Sequence, residues 1–248
     1  MKGFLIAGNW KMNRGGKDGA LLARDIKMGT YSIKDGIEIM IAPPFTAIPS
    51  VSEILNGSKV KLGAQNMYFE DKGAYTGEIS PQFLLDFGVE FIILGHSERR
   101  QYFCEKDEDV RKKVKKALEV GLKPIICVGE TLEQRDSGEA KNIVVKQVRS
   151  IVEGMEEVEK LTFAYEPIWA IGTGRVASPE QADEMHRVIR NIIGDKGDDV
   201  RILYGGSVKP NNAESLLKMD NIDGALIGGA SLKTEDFINI IKIAEKML

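Results

Sequence analysis

Two side chains able to exchange protons stand directly after apolar runs of the sequence. Glu166 follows one run and is succeeded by Pro167, and His96 follows another and precedes Ser97. Each residue alone has a plainer interpretation, as a solvated acid and a structural histidine. Pro167 restricts the backbone beside the carboxylate, and a helix predicted to begin at Ser97 would disfavour protonation of the imidazole. We therefore predict a carboxylate base and a neutral imidazole that donates a hydrogen bond to a carbonyl.

Other polar and glycine-rich positions also follow apolar runs. Asn9 and Lys11 come after the first run, and an ammonium group there would stabilise a developing oxyanion or attract an anionic substrate. Two turns, Gly205-Gly206-Ser207 and Gly228-Gly229-Ala230-Ser231, begin with the glycines that end the last two runs. Each is an ordinary tight turn by itself, but in α/β barrels this pair of turns commonly binds phosphate through backbone N–H groups. We therefore predict a phosphate site, which glycine leaves open to close approach.

The segment after Pro167 is apolar at first and then rich in glycine. It comprises Ile168, Trp169, Ala170, Ile171, Gly172, Thr173 and Gly174. Such a loop is explained if it closes over a site and excludes water from it. The alternative is a loop packed into the core with ordinary turn glycines. We predict a lid over residues 168–174.

Neither a dinucleotide nor a metal is expected at these positions. GTGRVA (172–177) fits the GxGxxA pattern of dinucleotide-binding proteins, but a proline and a tryptophan separate it from the preceding apolar run. The next predicted helix begins only after Ser178. The sequence has no cluster of His, Cys and carboxylate residues with the spacing of metal ligands. We expect a mechanism without a metal or a cofactor.

Eight short apolar runs, many with β-branched residues, are distributed over the whole chain. They are FLIAG (4–8), IEIMIA (37–42), VKLGA (60–64), FIILG (91–95), PIICVG (124–129), LTFAY (161–165), RILYGG (201–206) and GALIGG (224–229). Runs of this length that are apolar on both faces are typical of parallel strands covered by helices. The carboxyl ends of such strands would gather the candidate residues at one face of a barrel.

Helical patterns separate the apolar runs. DVRKKVKKALEVG (109–121) has one apolar face with lysines opposite. Ser178 is placed as an N-cap, followed by a proline at the first helical position and a capping-box partner at Gln181, so the predicted lid leads directly into a helix. His186, in the middle of that helix, is given a packing or surface role. Further helices are predicted over residues 17–28, 46–55, 80–87, 131–153, 211–218 and 232–246.

Eight strand–helix units with right-handed crossovers can close on themselves, and about 250 residues is typical of the resulting barrel. The chain has 248 residues and no Pro/Ser-rich, charge-block or low-complexity linker. We predict a single α/β domain over residues 1–248, a (β/α)8 barrel of eight parallel strands surrounded by helices. A doubly wound open sheet is the alternative, because strand order cannot be inferred from one sequence.

Composition narrows the class of partner. Hydrophobic residues make up 43% and charged residues 29% of the chain, as in ordinary folded proteins. A net charge of −3 gives no basic excess for nucleic acid or an anionic membrane, so neither is an expected partner. No apolar run approaches the roughly 18 residues that a membrane helix needs. Cys104 and Cys127 have neither disulfide nor metal spacing, which favours a reducing, cytoplasmic location.

Six segments resemble the triosephosphate isomerase family, in the expected order and along nearly the whole chain. They are GNWKMN (8–13), LGHSERR (94–100), CVGETLEQR (127–135), YEPIWAIGTGRVASPEQA (165–182), YGGSV (204–208) and GALIGGASL (224–232). The resemblance implies the TIM-barrel fold and the interconversion of dihydroxyacetone phosphate and glyceraldehyde 3-phosphate through an enediolate. It also implies that Glu166 is the general base and that a neutral His96 is the electrophile.

The resemblance gives roles to the other candidates as well. Asn9 and Lys11 would contact the substrate, with Lys11 offsetting the charge of the enediolate, and Glu98 and Cys127 would be supporting neighbours. Backbone donors to the substrate phosphate would come from Gly172, Ser207, Gly228 and Gly229. Cys104 stands where the family usually has glycine, which would alter the local backbone geometry.

The segment 63–80 is long for a plain connection. In the family a loop of this kind inserts into a second subunit, so we expect a homodimer with Thr76 near the partner's Asn9 and Lys11. A surface loop without a partner is the alternative. Two other functions remain open at this point, a phosphate-binding protein on the same barrel without chemistry and a nicotinamide-dependent oxidoreductase.

Overall fold

The architecture is that of a closed parallel barrel. The protein is described by a computed structural model that covers residues 3–171 and 176–248. Within these residues, eight parallel strands pair in chain order and close into a barrel. They are β1 (Phe4–Asn9), β2 (Ile37–Ala42), β3 (Val60–Ala64), β4 (Phe91–Leu94), β5 (Lys123–Val128), β6 (Thr162–Tyr165), β7 (Arg201–Tyr204) and β8 (Gly224–Ile227). The predicted strands and the predicted barrel are confirmed, and the open-sheet alternative is excluded by the pairing of β8 with β1.

Both faces of the strands are buried, which explains why the apolar runs do not alternate. Side chains such as Leu5, Met40 and Leu203 fill the inside of the barrel. Their neighbours along the strands, such as Ile6 and Ile202, belong to a second cluster packed between the strands and the helices. Parallel strands covered in this way lose the polar face that an exposed sheet would have.

Helices surround the barrel. Those in the described residues are α1 (Gly16–Gly29), α2 (Ile48–Leu55), α3 (Pro81–Leu85), α4 (Ser97–Phe103), α5 (Asp107–Glu119), α6 (Leu132–Asp136), α7 (Ala140–Val152), α8 (Pro179–Ile193), α9 (Pro210–Leu217) and α10 (Thr234–Glu245). The predicted start of α8 is confirmed, because Ser178 Oγ accepts from the Gln181 N–H at 3.2 Å and Gln181 Oε1 accepts from the Ser178 N–H at 3.0 Å.

The prediction of one helix over residues 131–153 is wrong, because α6 and α7 are separate helices. Gly138 lies between them with a φ of +79°, a left-handed conformation that ends a helix. The helix predicted over 46–55 begins with a short 3₁₀ turn at Phe45–Ala47, and the one predicted over 232–246 begins at Thr234, after a 3₁₀ turn at Gly229–Leu232. In the described part of the chain, no helix is long and apolar enough to cross a membrane.

Candidate active site

The Glu166 carboxylate and the His96 imidazole meet at the carboxyl ends of β6 and β4. Nε2 of His96 lies 2.9 Å from Oε1 of Glu166, and the Ser97 N–H donates to Oε2 at 2.8 Å. Both side chains are almost fully buried. His96 is the N-cap of α4, and the Glu98 N–H donates to its Nδ1 at 3.2 Å. That bond requires a lone pair on Nδ1, so the neutral ring carries its hydrogen on Nε2 and donates to Glu166.

Burial and charge act in opposite directions on this pair. Burial by itself raises the pKa of Glu166, but the charge and hydrogen bond of His96, together with the Ser97 N–H, outweigh it and lower the pKa below its ordinary value. Burial lowers the pKa of His96, whereas Glu166 and then Glu98 raise it, and the balance is a raised pKa. The carboxylate is therefore held ionised and ready to accept a proton.

A cavity of about 720 Å³ opens above this pair. The candidate residues among those that line it are Asn9, Lys11, His96, Glu166, Ile171, Ser207, Gly228 and Gly229. The sequence assigned these residues to five different strand ends and the loops beyond them, and the barrel brings them to one face.

Lys11 is held in a defined position on the wall of this cavity. Its backbone has a φ of +53°, and its N–H donates to Asn9 Oδ1 at 3.0 Å. Its ammonium donates to Glu98 Oε1 at 2.5 Å. Gln65 Nε2 donates to the Lys11 carbonyl at 2.8 Å and to that of Ala42 at 2.9 Å. Glu98 therefore contacts the candidate site by way of the Lys11 ammonium. Gln65 supports the loop that carries Lys11, and sequence reasoning missed this contact.

The glycine-rich turns lie against the catalytic candidates. A Cβ atom on Gly205 would stand 2.9 Å from Glu166 Cγ, and one on Gly228 would stand 3.4 Å from Lys11 Cε. Ser231 fixes the second turn, because its hydroxyl donates to the Gly228 carbonyl at 2.7 Å and its N–H donates to the same oxygen at 2.9 Å. A side chain at Gly205 would press directly on the Glu166 side chain, so glycine is needed there.

Cys127 lies inside the barrel, beneath the carboxylate. Burial, followed by the charge of Glu166, raises the pKa of its thiol well above the ordinary value. The thiol therefore remains neutral and contributes packing next to the Glu166 carboxylate rather than a charge.

The first part of the predicted lid is anchored by a residue that sequence reasoning missed. Residues 168–170 form a 3₁₀ turn in which the Ala170 N–H donates to the Pro167 carbonyl at 2.7 Å. Trp169 Nε1 donates to Oε1 of Glu130 at 2.8 Å, and the Tyr165 hydroxyl donates to the same oxygen at 3.0 Å. Glu130 is fully buried. Glu130 belongs to the segment CVGETLEQR (127–135), which resembles the family, but no pattern in the sequence predicts these hydrogen bonds.

Some candidates are not brought to the cavity in the described residues. Thr76 is exposed in the loop after β3 and does not line it. Gly172, Thr173 and Gly174 lie outside the described residues. Across residues 3–171 and 176–248, no group of three or more His, Cys, Asp and Glu side chains is arranged to hold a metal ion.

The arrangement has the parts needed for proton transfer next to a carbonyl. A buried carboxylate accepts the proton, an imidazole N–H can stabilise an oxyanion, and an ammonium lies at the side of the same cavity. The glycine-rich turns beside these groups offer backbone N–H groups to an anion.

Comparison with known proteins agrees with this description. The sequence model of the family described as triosephosphate isomerase matches residues 4–244. Triosephosphate isomerase from Chloroherpeton thalassium is 51% identical, covering 99% of this chain and 100% of the relative. The proteins of the same name from Alkaliphilus oremlandii and Fusobacterium nucleatum are 50% and 47% identical, covering 97% and 98% of this chain and 99% of each relative.

Proposed function

Because this chain belongs to the triosephosphate isomerase family, we propose how its residues interconvert dihydroxyacetone phosphate and glyceraldehyde 3-phosphate, a step of glycolysis. Glu166 removes a proton from the carbon next to the carbonyl. His96 donates its Nε2 hydrogen bond to the carbonyl oxygen, on which charge develops as the enediolate forms. His96 gives its Nε2 proton to that oxygen and takes up the proton of the neighbouring hydroxyl. The carboxylic acid of Glu166 returns its proton to the adjacent carbon, so that the carbonyl moves by one position. The contact of 2.9 Å between the two side chains at the base of the cavity is the observation that carries this proposal.

The substrate must separate the two groups that now bond to each other. In the free protein, Nε2 donates to Glu166, and its lone N–H cannot serve a carbonyl at the same time. We propose that the substrate oxygen replaces the carboxylate as the acceptor. Lys11 and Asn9 contact the substrate on the other side, and the ammonium offsets the charge of the enediolate.

The phosphate is proposed to lie between the two glycine-rich turns. Backbone donors come from Ser207, Gly228 and Gly229, which line the cavity. Gly172, proposed as a further donor, lies outside the described residues. Ile171 is the described residue of the predicted lid that lines the cavity. Exclusion of water there would strengthen the hydrogen bond from His96 and the charge of Lys11.

We further propose that the protein is a homodimer. Large apolar side chains are exposed beside the site and the segment 63–80, namely Met12, Tyr75, Phe83, Tyr102 and Phe103. Met12 is 94% exposed although it directly follows Lys11. Contact with a second copy would cover these side chains and bring Thr76 near the partner's Asn9 and Lys11. A fully active monomer in sedimentation velocity and activity measurements would contradict this.

Pairing of β1 with β8 joins the two ends of the chain, which supports a single domain over residues 1–248. Two free cysteines, one of them exposed, suit a reducing compartment, and we infer a cytoplasmic location.

The decisive experiment measures isomerisation in a coupled assay. The unaltered chain should convert glyceraldehyde 3-phosphate, and Glu166→Asp should lower kcat by roughly a hundredfold, because a misplacement of about 1 Å costs that much. His96→Gln should also lower kcat, with little change in the free energy of unfolding. Glu108→Asp, an exposed acid on α5, is the matched control and should behave like the unaltered chain.

Two results would reject the proposal. Binding of a triose phosphate without turnover would indicate a phosphate-binding protein. Binding of a nicotinamide dinucleotide in calorimetry would favour an oxidoreductase.

A further inference from the structure

His186 on α8 is buried between two tyrosines that belong to the cluster packed between the strands and the helices. Its ring makes an edge contact with Tyr165, with centroids 5.8 Å apart and planes at 86°, and lies 6.5 Å from the Tyr204 ring. All three side chains are buried. Tyr165 is the last residue of β6 and Tyr204 the last residue of β7, and the two face each other across that strand pair.

Each tyrosine immediately precedes a part of the site. Tyr165 is followed by Glu166, and Tyr204 is followed by Gly205, the first residue of a proposed phosphate turn. The Gly205 N–H donates to the Tyr165 carbonyl at 2.7 Å. The absent Cβ of Gly205 would stand 2.9 Å from Glu166 Cγ, so the base and the turn touch. A small shift of one strand end relative to the other would therefore move the base against the phosphate.

The His186 ring is fixed in orientation and is uncharged. Its Nδ1 lies 3.2 Å from the Asn221 carbonyl and donates to it, since a carbonyl only accepts. Arg190 donates to the same carbonyl at 3.1 Å. Burial lowers the pKa of His186 to about 4, against the raising effects of the Asn221 carbonyl and of Asp183. The ring is neutral at ordinary pH, and it acts on the tyrosines by packing.

We propose that His186 is a positioning residue for the isomerase reaction. Its ring holds Tyr165 and Tyr204 at a fixed separation and so sets the distance between the Glu166 carboxylate and the phosphate turn that begins at Gly205. This inference rests on the proposed function. The planar ring carries this role, and the hydrogen bond from Nδ1 to Asn221 does not. The Asn221 carbonyl keeps its hydrogen bond from Arg190 when the imidazole is replaced.

Two variants separate the ring from the hydrogen bond. His186→Gln keeps a similar volume and an N–H donor but removes the ring, whereas His186→Phe keeps the ring and removes the donor. Each is assayed with glyceraldehyde 3-phosphate and with glyceraldehyde, which lacks the phosphate. In His186→Gln we expect kcat/KM for the phosphorylated substrate to fall about tenfold more than that for glyceraldehyde. His186→Phe should keep the ratio of the two values.

The ratio of kcat/KM for glyceraldehyde 3-phosphate to kcat/KM for glyceraldehyde distinguishes a positioning role from a general loss of stability. A variant that merely loses folded protein loses both activities equally, and Val51→Ala, which truncates a buried side chain of α2 on the opposite side of the barrel, is the control for this behaviour. If His186→Gln does not fold, His186→Leu tests the same point without a polar atom.

An unchanged ratio in folded His186→Gln, or an equal loss of the ratio in His186→Phe, overturns the inference. Absence of isomerisation by the unaltered chain would instead overturn the proposed function.

Discussion

At the scale of single residues, the state of His96 depends on what its Nε2 contacts. In the free protein the ring donates to Glu166, whose carboxylate raises the histidine pKa. Burial and Lys11 act in the opposite direction. If the carboxylate turns towards a substrate carbon, its raising effect on the pKa of His96 weakens. The pKa of the ring then falls, and the neutral imidazole that donates from Nε2 becomes more populated. In the proposed mechanism, the movement that brings Glu166 to the substrate carbon therefore also favours the neutral state of His96.

This coupling predicts a pKa change in a variant. Glu166→Gln removes the negative charge nearest to His96, so we expect the pKa of His96 to fall below its ordinary value of 6.5. The measurement is a titration of the imidazole ¹⁵N shifts, which is simple because the chain has two histidines. Glu108→Gln is the control and should leave the titration unchanged. A His96 pKa that stays raised in Glu166→Gln would show that the carboxylate is not its cause.

His186 predicts a pH dependence of stability. The unfolded chain binds a proton at this histidine below about pH 6.5, whereas the native protein does so only below about pH 4. Stability is therefore lost as the pH falls through this window, by roughly 3 kcal/mol in total. His186→Phe lacks this contribution, so urea unfolding at pH 7 and pH 4.5 should show a smaller loss for the variant. Equal losses of unfolding free energy in the two proteins would show that the proton responsible binds at a group other than His186.

At the scale of elements, the ends of helices explain both a success and a failure of sequence reasoning. Ser178, Pro179 and Gln181 carry their signal in residue type and spacing, and the start of α8 was predicted from them. The break between α6 and α7 depends on a single residue, Gly138, within an otherwise helical pattern, and was not predicted. Contacts between elements that are distant in the sequence could not be predicted, for a different reason. Glu130 joins Tyr165 and Trp169 through tertiary packing, which no local pattern encodes.

The end of α4 predicts a stabilising substitution. Cys104 caps this helix with a φ of +55° and a ψ of +30°, a left-handed conformation that costs an L-residue about 1–2 kcal/mol. Cys104→Gly should raise the free energy of unfolding by roughly 1 kcal/mol, as glycine adopts this conformation without the Cβ clash.

Cys104→Ala separates the backbone from the thiol. It keeps the Cβ and removes only the sulfur, so it should give no such gain in urea unfolding at one protein concentration. A gain of the same size in both variants would assign the effect to the thiol.

At the scale of the whole molecule, the order of the strands and the closure of the barrel decide which residues meet. The eight apolar runs predicted the number and position of the strands, and chain length favoured closure. Pairing of β8 with β1 is what places Lys11, after the first strand, beside Gly228, after the last one. The resemblance to a family supplied the proposed roles of these residues. The hydrogen-bond partners of each residue could be identified only from the structure.

The opposite end of the barrel is joined by ion pairs between strands that are not neighbours. Glu38 on β2 contacts Arg201 on β7 and Lys123 on β5, and Lys123 also contacts Glu90 at 3.4 Å. Burial raises the pKa of Glu38, but the hydrogen bonds and charges of Arg201 and Lys123 outweigh it and lower the pKa below 4.5. The stabilisation is therefore present above that pH and is lost as the pH falls below it.

A double-mutant cycle of Glu38→Gln and Arg201→Gln measures this connection across the barrel. Both side chains are about three-quarters buried, so we expect a coupling energy of roughly 1–3 kcal/mol in urea unfolding at pH 7, reduced at high salt. The exposed pair of Glu214 on α9 and Lys218, the C-cap of that helix, is the matched control, and its cycle should give a much smaller coupling energy. If the two cycles gave equal values, the pair across the barrel would behave as a surface ion pair. A larger coupling across the barrel would mean that charge holds together strands which the backbone ladder does not join directly.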